Sequence, residues 1–113
     1  MDDTPPIPTP SALPAAPDPP IEPAWFVEAT YAPDGAETRT PFRAEHLARS
    51  RELLAAGTYA AVGAFADVSA SIIILRAPSE AAALAIVSED VYLRNGVWIE
   101  LRARAFGLVS RGS

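Results

Sequence analysis

The sequence predicts an α+β fold in which two helices cover one face of a four-stranded antiparallel sheet. Four segments have the β-branched, aromatic or alternating composition of strands, at residues 24–31, 58–65, 71–76 and 97–106. Two segments have the start and stop signals of helices, at residues 40–56 and 78–90. The resulting order, βαββαβ, is that of the ferredoxin-like sandwich.

The composition favours one domain with a single core, because half of the 113 residues are hydrophobic. Cysteine is absent and there is one histidine, which excludes disulfides and argues against a zinc centre. No acidic cluster or glycine-rich phosphate loop occurs, so we expect no metal and no cofactor. Residues 24–113 carry ten acids and nine arginines without a basic stripe, which argues against nucleic-acid binding.

Residues 1–23 hold nine of the twelve prolines and four acids without a base. Proline fixes φ and removes a backbone donor, so this segment is predicted to be a disordered acidic tail. It is either passive or a Pro-rich ligand for another domain. The folded domain is predicted at 24–109, followed by a disordered tail at 110–113. The start lacks the features of a secretory signal and no stretch could span a membrane, so a cytoplasmic location without membrane contact is expected.

The first strand alternates, and the turn signal at 33–35 separates it from the first helix. Thr40 is predicted to cap that helix, with Pro41 in its first position and Gly57 after its end. Residues 72–75 are four consecutive large apolar residues, which indicates a strand buried on both faces of the sheet.

The last strand also alternates after the Asn95–Gly96 turn signal. Strict alternation places Trp98 and Phe106 on the face that the helices leave open, together with Phe26. A second copy packed sheet against sheet would cover these aromatic residues, so we predict a homodimer.

His46 is predicted to point inward, because it lies in the middle of the apolar face of the first helix. Arg49 lies on the flank of that helix, at spacings that predict ion pairs with Glu45 and Glu52. Asp90 is predicted to close the second helix, at the same end of the domain as His46. An aspartate beside an inward imidazole suits general acid/base chemistry, and the alternative is a purely structural pair.

The sequence resembles the YCII-related family of small dimeric α+β barrel proteins over residues 24–107. The resemblance rests on short motifs in a matching order: Arg43-x-x-His46-Leu47, Ala56-Gly57, Val62-Gly63-Ala64-Phe65 with Asp67, Ser79-Glu80-Ala81-Ala82, Asp90-x-Tyr92 and the strand from Val97 to Phe106. The chain departs from the family at Ala64 and Val91, where proline is common. Without the proline at 91, the backbone at Asp90 is predicted to be held less firmly.

The resemblance implies a site in which His46 and Asp90 are catalytic, and we expect Arg43, one helical turn before His46, and Tyr92 to bind the substrate. Arg43 could hold an anionic group or simply pair with Asp90. The implied activity is that of a dehydrochlorinase-like lyase or an isomerase, which moves a proton on a small oxygenated aromatic or cyclic substrate. The alternative is a non-catalytic dimeric module for small-molecule binding or assembly, with the Pro-rich tail recruiting a partner.

Overall fold

The computed structural model of the chain describes residues 21–109, so residues 1–20 of the tail predicted at 1–23, and the whole tail predicted at 110–113, lie outside the described residues. Four strands and two longer helices form the fold, joined by two one-turn helices and a 3-10 turn at Thr40–Phe42. In chain order the elements are β1 (Ile21–Tyr31), α1 (Gly35–Thr38), α2 (Arg43–Ala56), β2 (Tyr59–Ala64), β3 (Ala70–Leu75), α3 (Glu80–Ser88), α4 (Val91–Arg94) and β4 (Trp98–Val109).

The four strands form one antiparallel sheet in the order β2-β3-β1-β4. The helix α2 packs on β2, whereas α3 packs on β1 and β4. The core lies between these helices and the sheet, where Val27, Ile73 and Leu75 are fully buried. The predicted α+β, ferredoxin-like fold class is confirmed. None of the helices within residues 21–109 is long and apolar enough to cross a membrane.

The first strand begins earlier than the predicted Ala24, because β1 starts at Ile21 and its first residues pair with the end of β4. The proline at position 23 does not prevent this. Pairing between β1 and β3 starts only at Trp25, so the first part of β1 has one neighbouring strand and behaves as an edge, where a missing N–H is tolerated. Glu22 also forms an ion pair with Arg76.

The predicted position of Trp98 on the open face is wrong, because β4 contains a β-bulge. Thr30 pairs with Glu100 but Tyr31 pairs with Trp98, so the register shifts by one residue at this point. The shift moves Trp98 from the open face to the helix-covered face, where it is 1% exposed. Trp98 therefore belongs to the core and not to the surface predicted for a second copy.

The ends of α2 match the sequence signals only in part. Gly57 follows the helix in the left-handed conformation, at φ 82°, as its position predicts. The start is different, because residues 40–42 form a separate 3-10 turn with Pro41 in its first turn. Thr40 makes no side-chain cap bond, and α2 itself begins at Arg43.

Candidate active site

The imidazole of His46 is held inside the domain by its place on α2. The residue lies in the first turn of the helix and is 7% exposed. Its Nδ1 lies 2.9 Å from both Oδ1 and Oδ2 of Asp90, so the contact predicted between these residues is present. A carboxylate only accepts hydrogen bonds, so Nδ1 carries the proton of this contact. In the neutral imidazole, Nε2 is then the nitrogen with a free lone pair.

Asp90 is completely buried, and it begins α4 instead of closing the preceding helix. Its backbone is extended, with ψ 139°, and its Oδ1 accepts a hydrogen bond from the backbone N–H of Tyr92 at 2.9 Å. This N-cap bond fixes the carboxylate at the start of α4, from where it faces His46. The short helix α4 is thus the element that positions Asp90.

Arg49 is a second partner of Asp90, although its helix spacing predicted other partners, Glu45 and Glu52. Its guanidinium Nη1 lies 3.8 Å from Oδ2 of Asp90 and donates to the Tyr59 hydroxyl at 3.3 Å, while Nη2 donates to the carbonyl of Ile86 at 2.7 Å. Arg49 thus turns inward, and the predicted helix ion pairs with Glu45 and Glu52 do not form. The buried carboxylate therefore lies between an imidazole and a guanidinium.

Aromatic rings enclose the imidazole on two sides. The Tyr92 ring stacks on His46 with centroids 3.9 Å apart and planes 9° apart, and Trp98 meets the imidazole edge-on at 5.4 Å. Tyr31 packs edge-on against both of these aromatic rings. These three rings hold the imidazole plane in one orientation, which Asp90 alone would not fix.

A cavity of about 140 Å³ opens beside His46 between α2 and the edge of the sheet. Three of the four predicted site residues line it, namely Arg43, His46 and Tyr92, whereas Asp90 lies behind the imidazole. Arg43 forms no ion pair with Asp90 within the described part of the chain, because Arg49 occupies that place. The remaining lining residues are Tyr31, Arg39, Leu47, Ser50, Val62, Gly63, Ala64 and Ser71.

Burial keeps two phenols near the site protonated. Desolvation raises the pKa of Tyr92 above the usual 10.0, although the charges of Arg39 and Arg43 oppose the rise. Burial likewise raises the pKa of Tyr59, against the lowering effect of the Arg49 guanidinium. Both side chains are therefore neutral hydrogen-bonding groups at physiological pH.

The arrangement provides a proton-accepting nitrogen at a small cavity with cations and hydroxyls around it. Within residues 21–109, no cluster of three or more His, Cys, Asp or Glu side chains could hold a metal ion. The sequence interpretation missed Arg49 and Ser50, yet both lie three or four positions after His46. This spacing places them on or beside the same helix face, which was the available signal.

Comparisons with known proteins agree with this fold. A model of the YCII-related domain matches residues 24–106 of the chain. The structure is similar to that of a 5-chloro-2-hydroxyhydroquinone dehydrochlorinase from Burkholderia phenoliruptrix in complex with 2,5-dihydroxybenzoquinone. The TM-score is 0.64 at 18% sequence identity, over 74% of this chain and 92% of that chain. No curated protein sequence matches the chain significantly.

Proposed function

The chain belongs to the YCII-related family, as its motifs predicted, and we propose that its domain is a lyase or isomerase that moves a proton on a small oxygenated ring compound. The observation that carries this proposal is the buried contact of His46 Nδ1 with both carboxylate oxygens of Asp90 beside a cavity. In this role His46 is the general acid/base and Asp90 fixes its tautomer and orientation.

The size of the cavity supports a substrate with one ring. A volume of about 140 Å³ is close to that of cavities that hold a benzene molecule, roughly 150 Å³. The similar dehydrochlorinase is named for a chlorinated hydroxyhydroquinone and is in complex with a quinone, which points to the same class of compound. Arg43 and Tyr92 line the cavity and are proposed to contact the substrate.

In an elimination, Nε2 of His46 would take a proton from the substrate. The electron pair left behind would form a double bond, and the leaving group would depart with the electron pair of the bond that breaks. In an isomerisation, the same nitrogen would take the proton from one atom and return it to another. In both reactions the imidazole that takes the proton is neutral before the step and cationic after it. The Asp90 carboxylate would stabilise the imidazolium cation that forms.

The test is turnover of a panel of chlorinated hydroxyhydroquinones, phenols, quinols and lactones by the full chain. His46→Gln keeps an amide donor for Asp90 but removes the base, so it should abolish turnover. Asp90→Asn removes the acceptor that fixes the tautomer and should reduce kcat by about a hundredfold or more. The double variant should be no worse than His46→Gln, because the pair acts as a unit.

Arg51→Gln, on the exposed part of α2, is the control and should leave turnover unchanged. The alternative is that His46 and Asp90 only join α2 to α4 in a non-catalytic binding module. Full turnover by a folded His46→Gln variant on a confirmed substrate would favour that alternative and refute the proposed chemistry.

A further inference from the structure

Ser50 has a hydroxyl group whose hydrogen-bonding capacity is unused within the described residues. The residue is 5% exposed, lines the cavity and lies one helical turn after His46. Its Oγ is buried and has no hydrogen-bond partner among residues 21–109, not even the carbonyl one turn earlier that helical serines often use. Buried polar groups without partners are rare and destabilising. A ligand in the cavity would give this hydroxyl a partner.

The second serine of the cavity shows the contrast. Ser71 is also buried and lines the same cavity, but its hydroxyl is hydrogen bonded to the Tyr31 hydroxyl at 3.2 Å. Its polar group is therefore satisfied within the protein. Of these two buried hydroxyls, Ser50 is the one left for a ligand.

The charges around the cavity have one sign. Arg39 and Arg43 both line it, Arg39 half-buried and Arg43 exposed, and no carboxylate is among the lining residues. Neither arginine takes part in an ion pair with another residue of the described range. The negative charge of Asp90 lies behind the imidazole and has Arg49 beside it. The cavity therefore favours a negatively charged ligand.

We infer that the cavity binds an anionic oxygenated ring compound, whose charged oxygen is held by Arg39 and Arg43 and whose inner oxygen hydrogen bonds to Ser50. This inference rests on the proposed function, because it names the substrate class of the same site. Arg39 and Ser50 are specificity-determining residues in this assignment: one selects the charge and the other selects an oxygen at the inner end of the ring. A donor that only a ligand satisfies is typical of sites that reject analogues lacking the matching atom.

The test of Ser50 is equilibrium binding of 2,5-dihydroxybenzoquinone, measured by calorimetry with the full chain. Its hydroxyl groups are vinylogous carboxylic acids, so the probe is an anion at neutral pH. Ser50→Ala should weaken binding about five- to tenfold, the usual effect of one lost hydrogen bond. The same variant should melt at the same temperature or higher, because it removes a buried hydroxyl without a partner.

Ser71→Ala is the matched control. It should lower the melting temperature, because it breaks the bond to Tyr31, while changing the affinity by less than about twofold. Unchanged affinity in Ser50→Ala, or an equal loss in both variants, would overturn the assignment of Ser50. A wild-type affinity weaker than about 10 mM for the probe would overturn the whole inference.

The test of charge compares the same probe with its reduced form, 1,2,4,5-tetrahydroxybenzene, measured without oxygen, which has the same ring and the same four oxygens but is neutral. The wild-type protein should prefer the anion, and added salt should weaken binding of the anion alone. Arg39→Gln should reduce the preference about tenfold, whereas Arg51→Gln removes an equal charge from the exposed part of α2 and should not change it. An unchanged preference in Arg39→Gln contradicts the role of this arginine.

Binding and turnover separate this inference from the proposed function. Tight, Ser50- and Arg39-dependent binding of the anion without turnover of any panel compound would support the inference while the proposed chemistry fails. Turnover of neutral compounds that depends on His46 but not on Arg39 or Ser50 would leave the proposed function in place and refute the inference.

Discussion

Asp90 illustrates how a single buried charge can connect several parts of the fold. Its carboxylate accepts from His46 of α2 and from the backbone of α4, and the Arg49 guanidinium lies nearby. Arg49 in turn donates to a carbonyl of α3 and to Tyr59 at the start of β2. Charges that are removed from water in this way are stable only while their partners remain. The catalytic arrangement proposed for the pair and the packing of the helices therefore depend on the same group.

We predict that Asp90→Leu destabilises the domain by roughly 3–5 kcal/mol, because it leaves the Arg49 charge half-buried without its carboxylate. Urea unfolding monitored by circular dichroism measures this loss. Asp67→Asn is the control, since Asp67 is an exposed loop residue that bonds to the backbone of Ser69, and it should cost about 1 kcal/mol or less. An equal effect of both variants would show that burial of the Asp90 network is not the cause.

The phenols of Tyr59 and Tyr92 lead to a prediction at alkaline pH. Burial raises the pKa of both in the folded state, so each folded-state value lies above the unfolded value of about 10. The associated stability is complete below the unfolded pKa and is lost as pH rises through the folded pKa. We expect the free energy of unfolding to fall above about pH 10, and to fall less steeply in Tyr59→Phe.

Ultraviolet titration of tyrosinate provides the direct measurement. In the folded chain, which has three tyrosines, two phenols should ionise later than free tyrosine. The Tyr92→Phe variant should remove one of these late steps. Three phenols that all ionise at the ordinary pKa in a folded protein would contradict the prediction.

The contact between His46 and Asp90 could be predicted because both residues carry strong positional signals. An inward histidine near a helix start and an acid after a helix end are brought together by the βαββαβ order itself. Helix spacing places Arg49 beside the face of His46, but it could not identify the partners of the guanidinium. A long guanidinium side chain on a helix flank can reach neighbours on its own helix or a buried partner, and only the packing of α3, β2 and α4 decides between them.

Among the elements, β4 is the one whose side-chain directions could be predicted only in part, because it contains a bulge. Alternation correctly placed Leu101 and Ala103 toward the helices, where both contact the core. It failed at Trp98, because one extra residue in a strand reverses the inward and outward positions beyond it. Aromatic packing against Tyr31 and Tyr92 favours the bulged register. Strand patterns carry no comparable signal for such an insertion.

We predict that Val91→Pro stabilises the domain, since it restores the residue that is common in the family at this position. Val91 is the first residue of α4, where no intrahelical N–H bond is lost, and ψ 139° at Asp90 suits a residue before proline. The expected gain is about 0.4–1 kcal/mol, or roughly 2–6 °C in melting temperature. Leu93→Pro is the control and should destabilise, because the Leu93 N–H donates to the Asp90 carbonyl. A melting temperature that falls in Val91→Pro would show that valine packing outweighs backbone rigidity.

Deletions from the N-terminus of the whole chain can locate the first residue of the folded unit. We predict that removing residues 1–20 leaves the melting temperature unchanged, because their composition favours no packed structure. Removing residues 1–23 should lower it by about 4–8 °C, equivalent to roughly 1 kcal/mol. The longer deletion eliminates the pairing of Ile21–Pro23 with β4 and the ion pair between Glu22 and Arg76. Differential scanning calorimetry of both deletions is the measurement, and an equal loss in both would show that residues 1–20 contribute to stability.

We still predict a homodimer for the whole molecule, formed through the open face of the sheet. Trp98 is not part of that surface, because it lies in the core. Phe26 and Phe106 lie on this face with ring centroids 6.1 Å apart, and Phe26 pairs in the sheet with Ile74. These side chains and Ile72 are only half-buried, whereas Ile73 between them is fully buried under the helices. Apolar side chains that stay partly exposed on one side of a sheet are a sign of a partner surface, and here Arg104 also lies over the Phe26 ring, 5.7 Å from its centroid.

Phe26→Asp should convert the dimer into a monomer, because it removes an aromatic ring from the contact surface and places there a charge that must lose part of its hydration on association. Leu54→Asp is the matched control: Leu54 is an exposed apolar residue of α2, away from the sheet, and its substitution should leave the mass unchanged. Light scattering at micromolar concentration measures both, with circular dichroism to verify folding. A stable face-to-face dimer would bury about 800 Å² on each copy, so it should persist at this concentration. A wild-type protein that scatters as a monomer would exclude the dimer and leave the open sheet face exposed to water.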